Sequence, residues 1–350
     1  MAYTTIKKSS DYFNTKLYTG NATDNRAITG VGFQPGLVWI KTRGSVKNHA
    51  IFDIIRDGHT YYIQSNTNAA EAADATSLKS MDSDGFTVGV GSTGAVTNQS
   101  GIEMASWNWK ANGAGVSNTD GSITSTVSVN TTSGFSIVKY TGTGAGATVG
   151  HGLGVKPDMI FSKPYSTAGD WNVYNDSFAA QQRIKLNSTA GVSTNSGIFS
   201  SLPTSTLVSI GTSGDINANG TSHLFYCFNS VQGYSKFGSY TGNGSTDGTF
   251  VYLGFKPAWV MIKNISVSND WFMIDNSRDT LAPNNPVGRK SLFANTSGAE
   301  VTRTTKDMDF LSNGIKLRTA DGTQNNAGEN YIYMAFAEEP LVGDNPATAR

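Results

Sequence analysis

The stretch GFKPAWVMIK, residues 254–263, combines a tight turn, a run of apolar residues and a lysine. Near-copies occur earlier in the chain, as GFQPGLVWIK at residues 32–41 and LGVKPDMIFSK at residues 153–163. When the three copies are aligned on their prolines, other residues coincide at fixed distances on both sides. Several fixed offsets without a gap indicate an internal triplication of the chain.

Four offsets from Pro35, Pro157 and Pro257 define the repeat. They lie seventeen residues before each proline, and six, fourteen and eighteen residues after it. In that order the residues are Tyr18, Tyr140 and Tyr240; Lys41, Lys163 and Lys263; His49, Trp171 and Trp271; and Asp53, Asn175 and Asp275. Each copy then ends in an aromatic-rich segment, at residues 104–110, 224–230 and 331–337.

Each copy is about 100 residues long, enough to bury a core of its own. The expected organisation has five parts along the chain. They are a leader or anchoring arm at 1–17, a first β unit at 18–112, a linker and second β unit at 113–232, a third β unit at 233–340, and a C-terminal tail at 341–350.

Composition predicts the fold class. The chain has 39 glycines and only 15% charged residues, and it lacks long runs of good helix formers. Short apolar or alternating segments separated by Gly, Asn, Asp and Ser predict six or seven strands in a unit. We therefore expect an all-β protein of three tandem antiparallel β-sandwich-like units, with residues 66–80 forming at most a short helix.

Two segments allow finer predictions about strands. The runs LVWI (37–40) and WVMI (259–262) are continuously apolar, which is typical of strands covered on both faces. Between the first two units, SITSTVSV (122–129) alternates like a strand and is expected to pair with GFSIVKY (134–140).

Charge and cysteine content exclude several classes of function. Basic and acidic residues balance at 26 each, so the sequence predicts no nucleic-acid partner. No window is apolar enough for a membrane helix, and the N-terminus lacks the apolar core of a signal peptide. The single cysteine, Cys227, is flanked by apolar residues and is expected to be a buried, inert thiol.

The sequence carries no motif that predicts catalysis, a metal or a cofactor. The four histidines lack zinc-site spacing, and neither a nucleophile elbow nor a phosphate-binding loop is present. DINANG (215–220) opens like a calcium loop, but Tyr226 stands where glutamate is needed, so a turn is favoured. We therefore expect a protein that is not an enzyme.

Two patterns give ligand-binding candidates. Trp171 and Trp271 follow turns at equivalent positions; exposed at a rim they would stack on sugar rings, and otherwise they belong to the core. The carboxylate pairs Asp53 with Asp57 and Asp275 with Asp279 have the composition of a glycosidase pair. The alternative is that Asp53 and Asp275 accept backbone N–H bonds in turns. The ligand-binding candidates are therefore Trp171, Trp271 and Asp275.

Six segments together resemble a family of bacteriophage virion proteins that is common among marine phages and usually labelled tail or tail-fibre proteins. They are MAYTTIKKSSDYFNTKLYTG (1–20), GVGFQPGLVWIKTR (30–43), MDSDGFTVG (81–89), ATVGHGLGVKPDMI (147–160), YSKFGSYTGNGS (234–245) and FLSNGIKLRT (310–319). The resemblance covers nearly the whole chain. It implies a virion component and supplies no catalytic residues.

The resulting expectation is a non-enzymatic structural protein of the phage tail, made in the cytoplasm of the bacterial host and located in the virion. Its partners would be other virion proteins and a host surface glycan or receptor. Alternatives are a capsid decoration or head-fibre protein, a polysaccharide depolymerase of the tail, and a secreted lectin. Analogy with other appendages suggests a homotrimer, whereas three internal units would also suit a monomer on a symmetric mount.

Overall fold

The computed structural model describes residues 4–56, 59–91, 94–278, 290–303, 305 and 307–340. Within these ranges the regular structure is β-strand, apart from a 3-10 turn at Ser9–Asp11 and one helical turn, α1 (Gly214–Asn217). The prediction of an all-β fold with little helix is confirmed. The predicted tail, 341–350, lies outside the described residues.

The first part of the chain forms a large sheet, a small sheet and a ribbon. Its strands are β1 (Phe13–Thr19), β2 (Arg26–Thr29), β3 (Leu37–Thr42), β4 (Ala50–Asp53), β5 (Tyr61–Tyr62), β6 (Ala72–Ala73), β7 (Leu78–Asp82), β8 (Gly85–Val88) and β9 (Glu103–Trp109). Sheet I has the order β1-β9-β3-β4, the small sheet is β2-β8-β7, and β5 pairs with β6. The segment 66–80 therefore contains β6 and the start of β7, and no helix.

The second part forms an eight-stranded sheet and a two-stranded sheet. Its strands are β10 (Val116–Asn118), β11 (Ser125–Asn130), β12 (Phe135–Thr141), β13 (Ala147–Gly150), β14 (Met159–Pro164), β15 (Asn172–Asn175), β16 (Gln182–Lys185), β17 (Ser193–Thr194), β18 (Leu207–Ile210) and β19 (Ser222–Phe228). Sheet II has the order β10-β11-β12-β19-β14-β15-β16-β17, and β13 pairs with β18. The antiparallel pairing of β11 with β12 confirms the predicted hairpin before the second unit.

The third part repeats this arrangement of one larger and one smaller sheet. Its strands are β20 (Ser235–Thr241), β21 (Phe250–Tyr252), β22 (Phe255–Asn264), β23 (Trp271–Asp275), β24 (Lys290–Phe293), β25 (Val301–Thr302), β26 (Met308–Leu311), β27 (Gly314–Leu317) and β28 (Asn330–Pro340). Sheet III has the order β20-β28-β22-β23-β24-β25, and the small sheet is β21-β27-β26.

The repeated phrase forms a strand inside each large sheet, namely β3, β14 and β22. Its two faces are buried in different places. In β22, Val260 and Ile262 belong to a core between sheet III and its small sheet. Trp259 and Met261, on the opposite face, belong to a central core that all three large sheets share. The continuous apolar run is therefore explained by coverage on both faces, as the sequence predicts for buried strands.

The central core joins the three units into one body. The ring centroid of Phe336 lies 4.8 Å from that of Phe13, 5.7 Å from Trp109, 6.1 Å from Phe228 and 6.0 Å from Trp259. These residues come from sheets I, II and III. A core for each unit does exist between its large and small sheets. The structure adds a shared aromatic core, which unit length alone does not predict.

The N-terminal residues that the structure describes are part of this body. Ile6 is buried in the central core, and β1 begins at Phe13, five residues before the predicted start of the first unit. Packing of Ile6 and Phe13 into the core accounts for the apolar residues in the predicted leader.

The repeated Tyr-Thr-Gly segment forms hydrogen bonds that hold a loop in place in each unit. The tyrosine hydroxyls donate to backbone oxygens of Thr97, Ile216 and Gln324. The residue after each acceptor is a buried asparagine whose Oδ1 accepts from the backbone N–H just after the glycine: Asn98 from Asn21, Asn217 from Thr143, and Asn325 from Asn243. A side chain at the glycine would collide with this backbone, which explains the residue type.

Replacing Phe336 tests whether the units share a core. Phe336→Ala removes a ring that is 1% exposed and should lower the free energy of unfolding by about 3–5 kcal/mol. Because the core is shared, tryptophan fluorescence and far-ultraviolet circular dichroism should report one coincident transition in urea. A variant in which the third unit unfolds in an earlier, separate step would contradict the shared core.

Candidate functional site

Three equivalent segments, one in each unit, contact a neighbouring unit along their length. We call them the docking segments; they are residues 64–71, 185–192 and 293–300. Each has an asparagine at its third position, whose Oδ1 accepts the backbone N–H of the residue fourteen after the proline in the same unit. The pairs are Asn66 with His49, Asn187 with Trp171, and Asn295 with Trp271.

The repeated lysines join the units through these segments. All three are at most 1% exposed. Each Nζ donates to a backbone oxygen in the docking segment of another unit: Lys41 to Ser297 at 3.3 Å, Lys163 to Asn68 at 3.1 Å, and Lys263 to Thr189 at 2.9 Å. The first unit thus contacts the third, the second contacts the first, and the third contacts the second. The three junctions form a closed cycle within one chain.

The ring nitrogens of His49, Trp171 and Trp271 contact the first residue of the same segments. Trp171 Nε1 donates to Gln64 O at 2.8 Å, and Trp271 Nε1 donates to Lys185 O at 2.9 Å. His49 Nε2 lies 3.0 Å from Phe293 O, while its Nδ1 accepts from Trp39 Nε1 at 2.8 Å. Because Nδ1 is an acceptor, Nε2 carries the proton and donates to Phe293, as the indoles do in the other units.

Backbone hydrogen bonds complete each junction. The last residue of each docking segment donates its N–H to the carbonyl eight residues after the neighbouring unit's proline. The pairs are Glu71 to Tyr165 at 2.7 Å, Val192 to Ile265 at 3.0 Å, and Glu300 to Arg43 at 2.7 Å. The lysine, ring and backbone contacts therefore fall at equivalent offsets in all three junctions.

Two junctions also contain a buried network of charges. Arg278 Nε lies 2.6 Å from Asp275 Oδ2, its Nη1 lies 3.1 Å from Glu300 Oε2, and Arg43 binds the same glutamate at 2.9 Å. Trp107 of sheet I donates to Asp275 Oδ2 at 3.1 Å and packs under the Arg278 guanidinium. The hydrogen bonds from Arg43 lower the pKa of Glu300 despite its burial, so this carboxylate stays ionised.

The first unit repeats the aspartate, arginine and glutamate of that network, and the second unit replaces them. Arg56 Nε lies 2.6 Å from Asp53 Oδ2, which also accepts from Tyr226 Oη at 2.7 Å. At the remaining junction uncharged residues replace the aspartate, arginine and glutamate, and a methionine replaces the aromatic residue that donates to the aspartate. They are Asn175, Phe178, Val192 and Met334. The aspartate, arginine and glutamate are therefore present or absent together.

The structure corrects the expectation of exposed ligand-binding residues. Trp171 and Trp271 are each 1% exposed, and Asp275 is 2% exposed. Both indoles lie in the central core with their N–H groups bonded across a junction, so neither forms a rim on which a sugar can stack. Asp275 Oδ1 accepts the backbone N–H groups of Ser277 and Arg278, which matches the alternative interpretation of a turn aspartate.

The other candidates give no site. In the segment 215–220, Asn217 Nδ2 donates to Ala145 O and Gly211 O and its Oδ1 accepts from Thr143 N, so this amide is used in contacts within the protein. Asp57 and Asp279 lie outside the described residues. In the part of the chain that the structure describes, no three His, Cys, Asp or Glu side chains are placed to hold a metal ion. The described helical segments are too short to cross a membrane.

Burial also shifts the pKa of titratable groups inside the fold so that their neutral forms are favoured. It lowers the pKa of His49 to about 3 and that of His223 to about 4, so both imidazoles are neutral near pH 7. It raises the pKa of the Cys227 thiol, which fits the prediction of a buried, inert cysteine.

A small cavity lies at the meeting point of the three sheets. Its volume is about 20 Å³, which is room for one water molecule. The lining is entirely apolar, and includes Trp39, Trp109, Phe161, Trp171, Phe228 and Met334. A cavity of this size and polarity stays dry and binds no ligand of ordinary size.

The sequence did not reveal the docking segments. Their shared signal is one asparagine with a threonine one or two residues later, too short to distinguish from a turn. The arginine partners of Asp53 and Asp275 are visible three residues further along the chain, and that spacing is the signal that could have identified the buried pairs.

Stability should rise with pH above neutrality because of the three junction lysines. Burial lowers the pKa of Lys41, Lys163 and Lys263 to about 8. Between about pH 8 and about pH 10 the unfolded chain then binds more protons than the folded one, and the free energy of unfolding increases by about 1.4 kcal/mol per pH unit for each lysine. Cys227 opposes one lysine above about pH 9, and buried tyrosines such as Tyr18 and Tyr331 add to this near pH 10, because a raised pKa has the reverse sign.

Urea unfolding from about pH 8 to about pH 9, where the tyrosines still contribute little, measures the net effect, which should equal about two protons. Lys263→Met should remove one lysine's share of the slope while the rise persists. A urea midpoint that stays level or falls from about pH 8 to about pH 9 would contradict the assignment of the lysines as buried cations.

The charge network predicts that two matched substitutions lower the free energy of unfolding by different amounts. Arg278→Met leaves Asp275 buried without its cation and should cost about 3–5 kcal/mol. Phe178→Met, at the equivalent position of the uncharged junction, exchanges one apolar side chain for another and should lower the free energy of unfolding by less than about 1.5 kcal/mol. Denaturant titration of both variants measures these losses. Equal losses would contradict the claim that the buried ion pair of Arg278 and Asp275 stabilises its junction.

Comparison with known proteins gives a family. No curated protein and no solved structure matches the chain. Residues 8–340 match the profile of a domain of unknown function, DUF7483. The match covers both the repeated strands and the docking segments, and the chain belongs to the DUF7483 family.

Proposed function

We propose that this protein is a non-enzymatic structural component of a bacteriophage virion, in a tail fibre or another tail appendage. The observation that supports a structural role is the cycle of three junctions. The residues that recur at fixed offsets, including the three buried lysines, form contacts between units, and the repeat is therefore used to build a rigid body. The sequence resemblance to phage virion proteins supports the location.

Rigidity suits an appendage that carries loops toward a host surface. The β-strands and the shared core supply the framework, while turns at the sheet ends remain available for contact. The partners in this proposal are neighbouring virion proteins and a glycan or receptor of the host. Because the three junctions are already closed within the chain, a homotrimer would have to form through other surfaces.

Locating the chain in purified virions tests the proposal. Antibody against the chain, visualised by gold labelling, should mark the tail of the phage that encodes it, and mass spectrometry should detect the chain in the particles. Label on the capsid would favour a head decoration or head fibre. Absence from particles would contradict a virion role altogether.

A second experiment separates the structural proposal from the depolymerase alternative. Purified protein is incubated with polysaccharide from the host surface, and reducing ends are measured over time. The structural proposal expects no increase over a boiled sample. A steady release of reducing ends would replace it with a tail enzyme.

A further inference from the structure

The outer face of the small sheet β21-β27-β26 exposes two aromatic side chains. Val251, Phe310 and Ile315 point inward to the core of the third unit. Because side chains alternate along a strand, Phe250 and Tyr252 lie together on the opposite face, where they are 43% and 50% exposed. Exposed rings on adjacent same-face positions form an apolar strip open to solvent.

The other two units show that this strip is not required for folding. The pairing of Val251 with Ile315 is equivalent to that of Ile28 with Phe86 and of Val149 with Val208. The residues equivalent to Phe250 are therefore Ala27 and Thr148, and those equivalent to Tyr252 are Thr29 and Gly150. The same strand forms with small residues at these positions, so the aromatic pair serves something other than the strand.

Both rings are held in place before any ligand arrives. The Phe250 ring lies across Gly314, since a Cβ on that glycine would be 3.1 Å from its Cε2 and Cζ atoms. Lys236 Nζ lies 5.1 Å from the centre of the Tyr252 ring and donates to Tyr252 O at 2.8 Å. Pre-positioned aromatic surfaces reduce the entropy lost on binding.

Two of the three cations around the strip are paired with carboxylates, and the third, Lys236, binds a backbone oxygen. Lys316 is directly opposite Phe250, and its Nζ lies 2.9 Å from Asp247 Oδ1. Arg318 Nε lies 2.6 Å from Asp309 Oδ2. Each of these cations is paired with a carboxylate, while Asp247 and Arg318 remain accessible, with side chains 83% and 44% exposed. The strip therefore offers donors and acceptors, with Lys236 as its one cation that is not paired with a carboxylate in these contacts.

We propose that this face binds a neutral oligosaccharide, whose apolar ring faces stack on Phe250 and Tyr252. A sugar ring has an apolar C–H face and a rim of hydroxyl groups, which matches an aromatic strip bordered by ionic donors and acceptors. The hydroxyls hydrogen-bond to Asp247, Lys316 and Arg318. This inference deepens the receptor contact of the proposed function and rests on that function only for the strip's position on the virion.

Other ligands fit the face less well. A single-stranded nucleic acid also stacks bases on aromatic residues, but it requires a groove lined with several unpaired cations, whereas Lys316 and Arg318 are bound to carboxylates here. A stable protein interface buries about 800 Å² on each partner, far more than two side chains supply. Both ligand classes are distinguishable in the same experiment.

Affinity electrophoresis of the full chain tests the proposal. Native gels contain dextran, galactomannan, xylan or a mixed-linkage β-glucan, and a parallel titration uses a labelled oligothymidylate. The variant is Phe250→Ala with Tyr252→Thr, which copies Ala27 and Thr29 of the first unit. The matched control is Val46→Thr with Val116→Thr, which removes two exposed apolar side chains elsewhere.

Retention of the parent chain in at least one gel, weakened at least about tenfold in the aromatic variant and unchanged in the control, is the expected result. Thermal unfolding of the variant should match the parent, because the other units fold with those residues. Equal retention of parent and variant, or no retention in any gel, would overturn the proposal. So would oligothymidylate binding that the variant loses in place of sugar binding.

This test and the test of the proposed function fail independently. Sugar binding is measured on the purified chain, whereas the virion role is decided by where the chain lies in particles. A chain that lies in the tail but binds none of these sugars would retain the structural proposal and lose this one.

Discussion

The whole fold depends on a buried ammonium group that binds a backbone carbonyl of the neighbouring unit. A lysine at the end of an apolar strand is costly to bury, and the cost is offset only if its donors find acceptors. Lys163 Nζ finds Asn68 O in one unit and Gly169 O in its own. The same arrangement occurs at three positions and forms a closed cycle. In this cycle each unit contributes its lysine to one junction and its docking segment to another.

The aromatic core and the junctions reinforce each other. The junction contacts position the indoles of Trp171 and Trp271, whose rings fill the core that the sheets share. Closing the cycle excludes water from those contacts, which strengthens their hydrogen bonds. Two junctions contain the buried charges and the third has uncharged residues in their place, so a junction closes with either chemistry.

The sequence predicts the β class, the repeat and the strands buried on both faces. It does not predict that the repeated residues bind another unit, because an offset along the chain carries no information about which unit lies opposite. Trp271 after an Asn-Asp turn has the local pattern of a rim residue; only the position of Lys185 in the neighbouring unit makes it a core residue. Phe250 is also invisible as a site from sequence, since its exposure depends on which face of β21 meets the core.

Native-state hydrogen exchange of the Glu71, Val192 and Glu300 amides tests the closed cycle most directly, since each donates across a different junction. If the three junctions open only together, the three amides share one free energy of exchange, close to that of global unfolding and of the strand β22. If one of these amides exchanges through a smaller opening while the other two stay protected, the cycle opens at a single junction and the account is contradicted.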